Sequence, residues 1–189
     1  MKYSRSWLES ELRQGKRIKY LFFWGHQAAN DGAVSSSCFS QWWEGHAFVE
    51  GGISYRTTEH YMMAGKARLF EDEKSLRKIL DAHSPAEAKK LGREVKNFEQ
   101  NVWQANRCEI VIRGNYLKFS QHVALKTLLL NSHQRVLVEA SPVDNIWGIG
   151  LAKDDMKAQN PYAWNGENLL GFCLMEVRDR LKREDYLPA

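Results

Sequence analysis

The chain has 189 residues, of which 43% are hydrophobic and 26% are charged, as is typical of one globular domain with a buried core. This composition excludes a disordered chain, and the lack of any apolar run near the roughly 18 residues of a membrane helix excludes a membrane-spanning protein. The net charge of +4 suits anionic ligands such as phosphates, but no dense block of basic residues predicts nucleic-acid binding by itself. We therefore predict a single domain over residues 1–189, with its core at about residues 20–183 and no membrane partner.

The cysteines and the first residues indicate the cellular compartment. Cys38, Cys108 and Cys173 are far apart and odd in number, whereas a disulfide framework needs an even set. The start of the chain, Met1 to Trp7, is polar and has no apolar stretch behind it, unlike a signal peptide. We predict reduced thiols in a cytoplasmic protein.

The first third of the chain mixes helix and strand. Residues 3–16 can form a helix, and the apolar run at residues 20–24 predicts a buried strand. Glycine, asparagine and serine make residues 25–37 a loop. Residues 47–49 and 53–55 flank Glu50-Gly51-Gly52, which indicates a β-hairpin.

The remainder of the chain is mostly helical in pattern. Thr57 or Thr58 can cap a helix over Glu59–Phe70, and Ser84-Pro85-Ala86-Glu87 forms a capping box that starts a helix running to about Val95. Further helices are predicted at residues 100–119, around Leu125–Leu129 and from Leu169 to Val177, with a strand at Arg135–Glu139. The predicted fold class is mainly α (α+β), a helical domain with a small antiparallel β element.

Residues 141–166 resist regular structure because they are rich in proline, glycine and asparagine. Loops beyond about 12–15 residues are usually functional or disordered, and aromatic residues such as Trp147 and Tyr162 argue against disorder. We expect an ordered loop that contacts a ligand, unless it merely covers the core. The glycines of Trp147-Gly148-Ile149-Gly150 could bring backbone N–H groups close to a phosphate.

One face of the predicted helix at residues 59–70 combines charge with apolar side chains. Glu59, Met62, Met63 and Lys66 share it, because residues i, i+3, i+4 and i+7 lie on one side of a helix. Such a face fits either a pocket wall or a surface with chance spacing. Glu59 in the first turn could act as a general base or stabilise positive charge in a transition state.

Several other chemistries have no sequence support. No histidine or cysteine spacing suits zinc, and there is no P-loop, no dinucleotide-binding glycine motif and no serine-hydrolase elbow. We predict a metal-independent protein without a cofactor.

Blocks of residues in a fixed order carry a resemblance that runs from about Phe22 to Leu181. The chain resembles the NADAR family, also called YbiA-like proteins. The blocks are residues 23–26, 38–42, 58–67, 91–93, 102–103, 113–115, 138–144, 146–150 and 168–171.

The resemblance implies N-glycosidase activity on one of two substrate types: ADP-ribosylated guanine, including guanine in nucleic acid, or phosphorylated ribosylamino-pyrimidine intermediates of riboflavin biosynthesis. It places the catalytic glutamate at Glu59 and the lysine at Lys66. Ligand contacts fall on Phe39, Ser40, Arg93, Trp103, Asp144, Trp147 and Gly148. We add Trp42, Met62, Gly150 and Asn168 as candidate substrate-binding residues, and Asp144 as a second catalytic carboxylate.

Two departures and two open alternatives accompany the resemblance. Gly65 stands where a larger Glu or Gln is more usual, and the segment at residues 25–38 is longer than in compact members. Lys66 can be a nucleophile that forms a Schiff base or a cation that binds phosphate. The same pocket could also serve a non-catalytic module that binds ADP-ribose or a nucleotide, although such binding needs neither Glu59 nor Lys66.

Overall fold

The computed structural model describes residues 1–27 and 33–186, which form two compact units. Unit 1 comprises Met1–Ser40 and Ala124–Ala189, and unit 2 comprises Gln41–Val123. The fold class is confirmed as mainly α, since helices dominate the described residues. The prediction of one domain stays a prediction, and the loop prediction at residues 25–37 lies partly outside the described residues.

Unit 1 is built on a pair of strands and a long helix. Its elements are α1 (Arg5–Arg13), β1 (Tyr20–Phe23), a 3₁₀ turn (Ser36–Phe39), α6 (Val123–Leu130), β4 (Val136–Glu139), 3₁₀ turns at Met156–Gln159 and Pro161–Ala163, and α7 (Leu169–Tyr186). Strands β1 and β4 pair in parallel, with Tyr20 opposite Val136. The prediction of a small antiparallel β element therefore does not include this parallel pair. An apolar run in the sequence does not show which distant strand it will pair with. Helix α7 starts apolar on every side and packs against β4.

Unit 2 is a helical layer with a hairpin. Its elements are β2 (Phe48–Glu50), β3 (Ile53–Tyr55), α2 (Thr58–Leu69), α3 (Glu73–Asp81), α4 (Pro85–Arg93) and α5 (Gln100–Gln121). The hairpin prediction is confirmed: β2 and β3 are antiparallel, and Gly51 and Gly52 have φ of +57° and +81°, as a two-residue type I′ turn requires. Helix α2 packs against α3, α4 and α5, so most of its side chains are buried.

Helix caps explain where α2 and α4 begin. Thr57 caps α2, because its hydroxyl accepts a hydrogen bond from the His60 amide. The Ser84 hydroxyl likewise accepts from the Glu87 amide at 3.2 Å. The Glu87 carboxylate accepts from the His83 amide at 2.7 Å, one residue earlier than a capping box would place it.

Two broader predictions concern the cysteines and membrane-spanning helices. None of the three cysteines forms a disulfide, and Cys38 and Cys173 are buried while Cys108 is half-buried; their reduced state stays a prediction. Across residues 1–27 and 33–186, no helix is both long and apolar enough to cross a membrane.

Candidate active site

The first turn of α2 holds a buried carboxylate. Gln41 fixes the chain before this turn, since its carbonyl accepts from the Glu59 amide at 3.0 Å and from the Thr58 hydroxyl at 3.2 Å. Glu59 is only 3% exposed. The unpaired amides of a helix N-terminus favour a negative charge at this position. The sequence prediction of Glu59 in the first helical turn is thus confirmed as a position.

His60, which the sequence reasoning did not select, fixes the same turn. Its Nδ1 lies 2.8 Å from the Thr57 hydroxyl and its Nε2 lies 3.2 Å from the Ala82 carbonyl oxygen. Burial lowers the pKa of His60, so the ring favours its neutral form. The ring therefore positions the start of α2. A lone histidine next to a cap gave no sequence signal of this role.

Lys66 lies two turns after Glu59 in a cage of carbonyl and aromatic groups. Its Nζ donates to the Gly92 carbonyl oxygen at 2.7 Å and lies 4.2 Å from the centroid of the Phe98 ring and 5.7 Å from that of Trp103. Burial lowers the pKa of Lys66. The carbonyl and the ring faces oppose this, because they favour the ammonium form. The amine is therefore held in place and partly stripped of water.

The face between Glu59 and Lys66 is closed to solvent. Met62 is 4% exposed and Met63 is 7% exposed. The sulfur of Met62 lies 3.5 Å from the Gln41 side-chain amide, while Met63 occupies the space where a Cβ on Gly92 would lie 2.0 Å from its sulfur. The alternative of a solvent-exposed face is therefore wrong.

Three further candidates lie in unit 2 at its surface. Trp42 is half-buried, with Lys89 Nζ 5.6 Å from its ring centroid. Arg93 is exposed at the last residue of α4, and Trp103 is half-buried in the first turn of α5. Of these three, Trp103 lies beside Lys66. Phe98, which is 40% exposed and lies closer to the amine, was missed because an isolated phenylalanine between helices carries no pattern.

The candidate residues in the long loop of unit 1 form contacts that hold this loop in shape. Asp144 Oδ1 accepts from the amides of Ile146 at 2.8 Å and Trp147 at 2.7 Å. The Gly150 amide donates to the Asp144 carbonyl at 3.0 Å, and a Cβ on Gly148 would lie 2.9 Å from the Glu139 carbonyl oxygen. These residues hold the loop in shape, and their contact with a substrate stays a prediction. Trp147 is half-buried, as a ring that also contacts a ligand needs to be.

The other candidates of unit 1 lie in its interior. Phe39 is fully buried and meets Phe23 edge-on, with ring centroids 5.6 Å apart. Ser40 is 9% exposed and follows the 3₁₀ turn directly. Asn168 is fully buried and bridges two backbone groups of β4. This geometry gives Phe39 and Asn168 structural roles, whereas their predicted roles in binding stay untested.

Metal ligands do not gather in the part of the chain that the structure describes, since no three histidine, cysteine or carboxylate side chains lie close enough to hold an ion.

Comparison with known proteins agrees with the resemblance seen in the sequence. The model of the NADAR domain family matches residues 22–182. N-glycosidase R617 of Acanthamoeba polyphaga mimivirus is 40% identical over 169 residues, which cover 85% of this chain and 95% of that protein. N-glycosidase YbiA of Escherichia coli (strain K12) is 32% identical over 133 residues, which cover 70% and 74%. The NMR structure of E. coli YbiA superposes with a TM-score of 0.70 at 26% identity and covers 92% of both chains.

Proposed function

The chain belongs to the NADAR family, and on this premise we propose that it is an enzyme that hydrolyses N-glycosyl bonds. The two sequence relatives described above are named N-glycosidases, so the prediction of a hydrolase of this class is confirmed at the level of the family. The proposed substrates are the two that the sequence resemblance implies: ADP-ribosylated guanine, free or in nucleic acid, and phosphorylated ribosylamino-pyrimidine intermediates of riboflavin biosynthesis.

The observation that carries this proposal is the position of Glu59 and Lys66 on one face of α2, where Glu59 is buried and Lys66 keeps part of its surface open to solvent. Two helical turns separate their Cα atoms by about 10 Å along the axis, so side chains from both can reach one ribose. Breaking an N-glycosidic bond requires stabilisation of positive charge at the anomeric carbon and a proton for the leaving base. The carboxylate of Glu59 stabilises the positive charge at the anomeric carbon. A general acid donates the proton to the leaving base.

Lys66 adds a covalent route to this chemistry. In its neutral form, Nζ attacks C1 of the ribose, the bond from C1 to the base nitrogen breaks, and the base leaves with a proton from the general acid. One proton of Nζ restores that acid, and transfer of the second to the ring oxygen opens the ring and leaves a Schiff base between Nζ and C1. Water then adds to C1 and expels the amine, which releases the sugar and restores Lys66. Burial supports this route, because it lowers the pKa of the amine.

Burial of Glu59 favours an enzyme over a binding module. Burying the Glu59 carboxylate away from water costs free energy, and the binding of phosphates and a base does not need a buried carboxylate. Catalysis benefits from it, because a carboxylate that is shielded from water stabilises an oxocarbenium-like charge more strongly than a hydrated one.

The test is the release of free base, measured by chromatography, from an ADP-ribosylated guanine substrate and from a ribosylamino-pyrimidine phosphate. We expect turnover of one of them, resistant to EDTA and lost in Glu59→Gln. Tight binding of ADP-ribose by the wild type with no release of base from either substrate would instead establish a binding module. Restoration of activity by a divalent ion after chelation would show that a metal takes part.

A further inference from the structure

A large cavity in unit 1 concentrates the positive charge of the chain. It has a volume of about 1030 Å³ and lies between α1, the segment before β1, the start of β4 and α7. Seven lysine and arginine side chains line it against two carboxylates, an excess of five that is larger than the net charge of +4 of the whole chain. Half of its lining residues precede residue 22, where the match to the family model begins. Half of the cavity lining is thus outside the matched region, and the cavity shares no residue with α2.

Both carboxylates of the cavity are already neutralised. Asp179 pairs with Lys2 at 3.0 Å and also accepts from the Tyr3 hydroxyl at 2.6 Å. Glu11 pairs with Lys16 at 2.7 Å. The remaining cations must therefore be balanced by water, salt or a ligand.

The other five cations of the lining form no salt bridge with a carboxylate among the described residues: Arg17, Lys19, Arg135, Arg178 and Lys182. Arg17 and Lys19 are exposed between α1 and β1, and Lys182 is exposed on α7. Arg178, one turn before Lys182, is only 3% exposed, and its Nη1 donates to the Ser132 hydroxyl at 2.7 Å and to the Arg135 carbonyl at 2.8 Å. Asp179 also attracts this guanidinium but is shared with Lys2, so an anion in the cavity would further offset the cost of burying Arg178.

An aromatic ring completes the lining. Trp7 is half-buried at the cavity, and Tyr3 supports it edge-on with ring centroids 4.7 Å apart. An indole ring held in this way offers a flat surface on which a base can stack.

We propose that this cavity binds the phosphates of a single-stranded nucleic acid, with one base stacked on Trp7. Several unpaired cations on three separate segments suit successive phosphates better than a single one, and the volume reaches the upper end of the range for small-molecule pockets. Cations along a strand combined with an aromatic platform are the usual means of binding it without sequence preference. This inference does not depend on the proposed hydrolysis, because it concerns binding alone and other residues.

The test compares two triple variants of the full-length chain with the same net charge. In Arg17→Ala/Lys19→Ala/Lys182→Ala, the three exposed cations of the cavity are removed. In Lys74→Ala/Arg77→Ala/Lys78→Ala, three exposed cations of α3, of the same residue types, are removed instead. Circular dichroism and thermal unfolding check that both variants fold. Affinity for a labelled single-stranded DNA of about 12 nucleotides is measured by fluorescence anisotropy across a range of salt concentrations.

We expect the cavity variant to bind about tenfold more weakly or worse near 0.1 M salt, and its slope of log K against log salt to fall by about two, since each cation removed accounts for about 0.7. The α3 variant should bind like the wild type. Inorganic pyrophosphate and AMP should compete only at far higher concentrations. Equal losses in both variants, or AMP competing as well as the strand, would overturn the proposal. A cavity variant that loses the strand but still releases base from a nucleoside-sized substrate separates this binding from the hydrolysis.

Discussion

Asn168 can be tested for a structural role against a substrate-binding role. The sequence makes it a candidate for substrate binding, whereas its hydrogen bonds in the structure indicate a structural role. Its Oδ1 accepts from the Glu139 amide and its Nδ2 donates to the Leu137 carbonyl, both at 2.9 Å. The side chain thereby joins the start of α7 to β4. Its φ is +56°, in the left-handed region that asparagine and glycine tolerate best.

Replacing Asn168 by glycine removes both hydrogen bonds but keeps the backbone unstrained. Two backbone groups of β4 then lose their partner in a site that is fully buried. Each such group costs about 1–3 kcal/mol, so we expect the free energy of unfolding to fall by about 2–6 kcal/mol. Asn168→Ala should lose about 1 kcal/mol more, because alanine also pays for the left-handed φ.

The measurement is urea unfolding, with Asn97 as the matched control. Asn97 is exposed and has a φ of +55°, so the difference between Asn97→Ala and Asn97→Gly isolates the cost of the backbone conformation. If Asn168→Gly unfolds within about 0.5 kcal/mol of the wild type yet loses turnover, the structural reasoning fails and Asn168 contacts the substrate.

Three further predictions concern single side chains. Gly65→Ala should destabilise the chain, because its Cβ would lie 2.6 Å from Cγ2 of Ile110, and the added change Ile110→Ala should relieve that clash in a double-mutant cycle of unfolding free energies. Glu59→Gln should fold normally and lower kcat by about 10²–10⁴-fold. Turnover within a few-fold of the wild type would show that Glu59 has only a structural role at the start of α2. Trp147→Ala should raise KM by about tenfold with little change in kcat, since stacking on a base contributes roughly 1–3 kcal/mol; a large fall in Tm with unchanged KM would assign the ring to the core.

Local sequence signals predicted those elements whose cause is local. The Gly51-Gly52 pair fixed the hairpin, and Thr57 together with a stretch free of proline fixed the start of α2. Helix α3 is absent from the predicted elements although Asp72 caps it, with Oδ1 accepting from the Ser75 amide at 3.0 Å. Its capping residue is nevertheless a local signal that the sequence contains.

Contacts between distant segments could not be predicted in the same way. The parallel pairing of β1 with β4 joins strands more than a hundred residues apart, and an apolar run does not encode its partner. Gly65 shows the same limit: the sequence marks it as a departure from the family, but only the structure shows that Ile110 occupies the space above it. The environment of Lys66 likewise comes from Gly92 and Phe98, which lie in other elements.

The last prediction concerns the form in which Lys66 acts. A nucleophile must be neutral, and the lowered pKa of Lys66 increases the neutral fraction at a given pH. A charge clamp must be an ammonium, the form that the Gly92 carbonyl and the Phe98 ring favour. For a nucleophile, kcat should rise with pH until the amine has lost its proton, below the ordinary lysine value of about 10.4.

Substitution separates the two roles, because arginine keeps the charge and cannot attack carbon. We expect Lys66→Arg to be as inactive as Lys66→Ala, at least about a hundredfold below the wild type. Lys90→Arg, at an exposed position of α4, is the matched control and should keep full activity. Borohydride added during turnover should trap a sugar adduct on the peptide that contains Lys66, because reduction converts the Schiff base to a stable amine. An active Lys66→Arg variant without an adduct would exclude the covalent route and leave the carboxylate of Glu59 as the catalytic group.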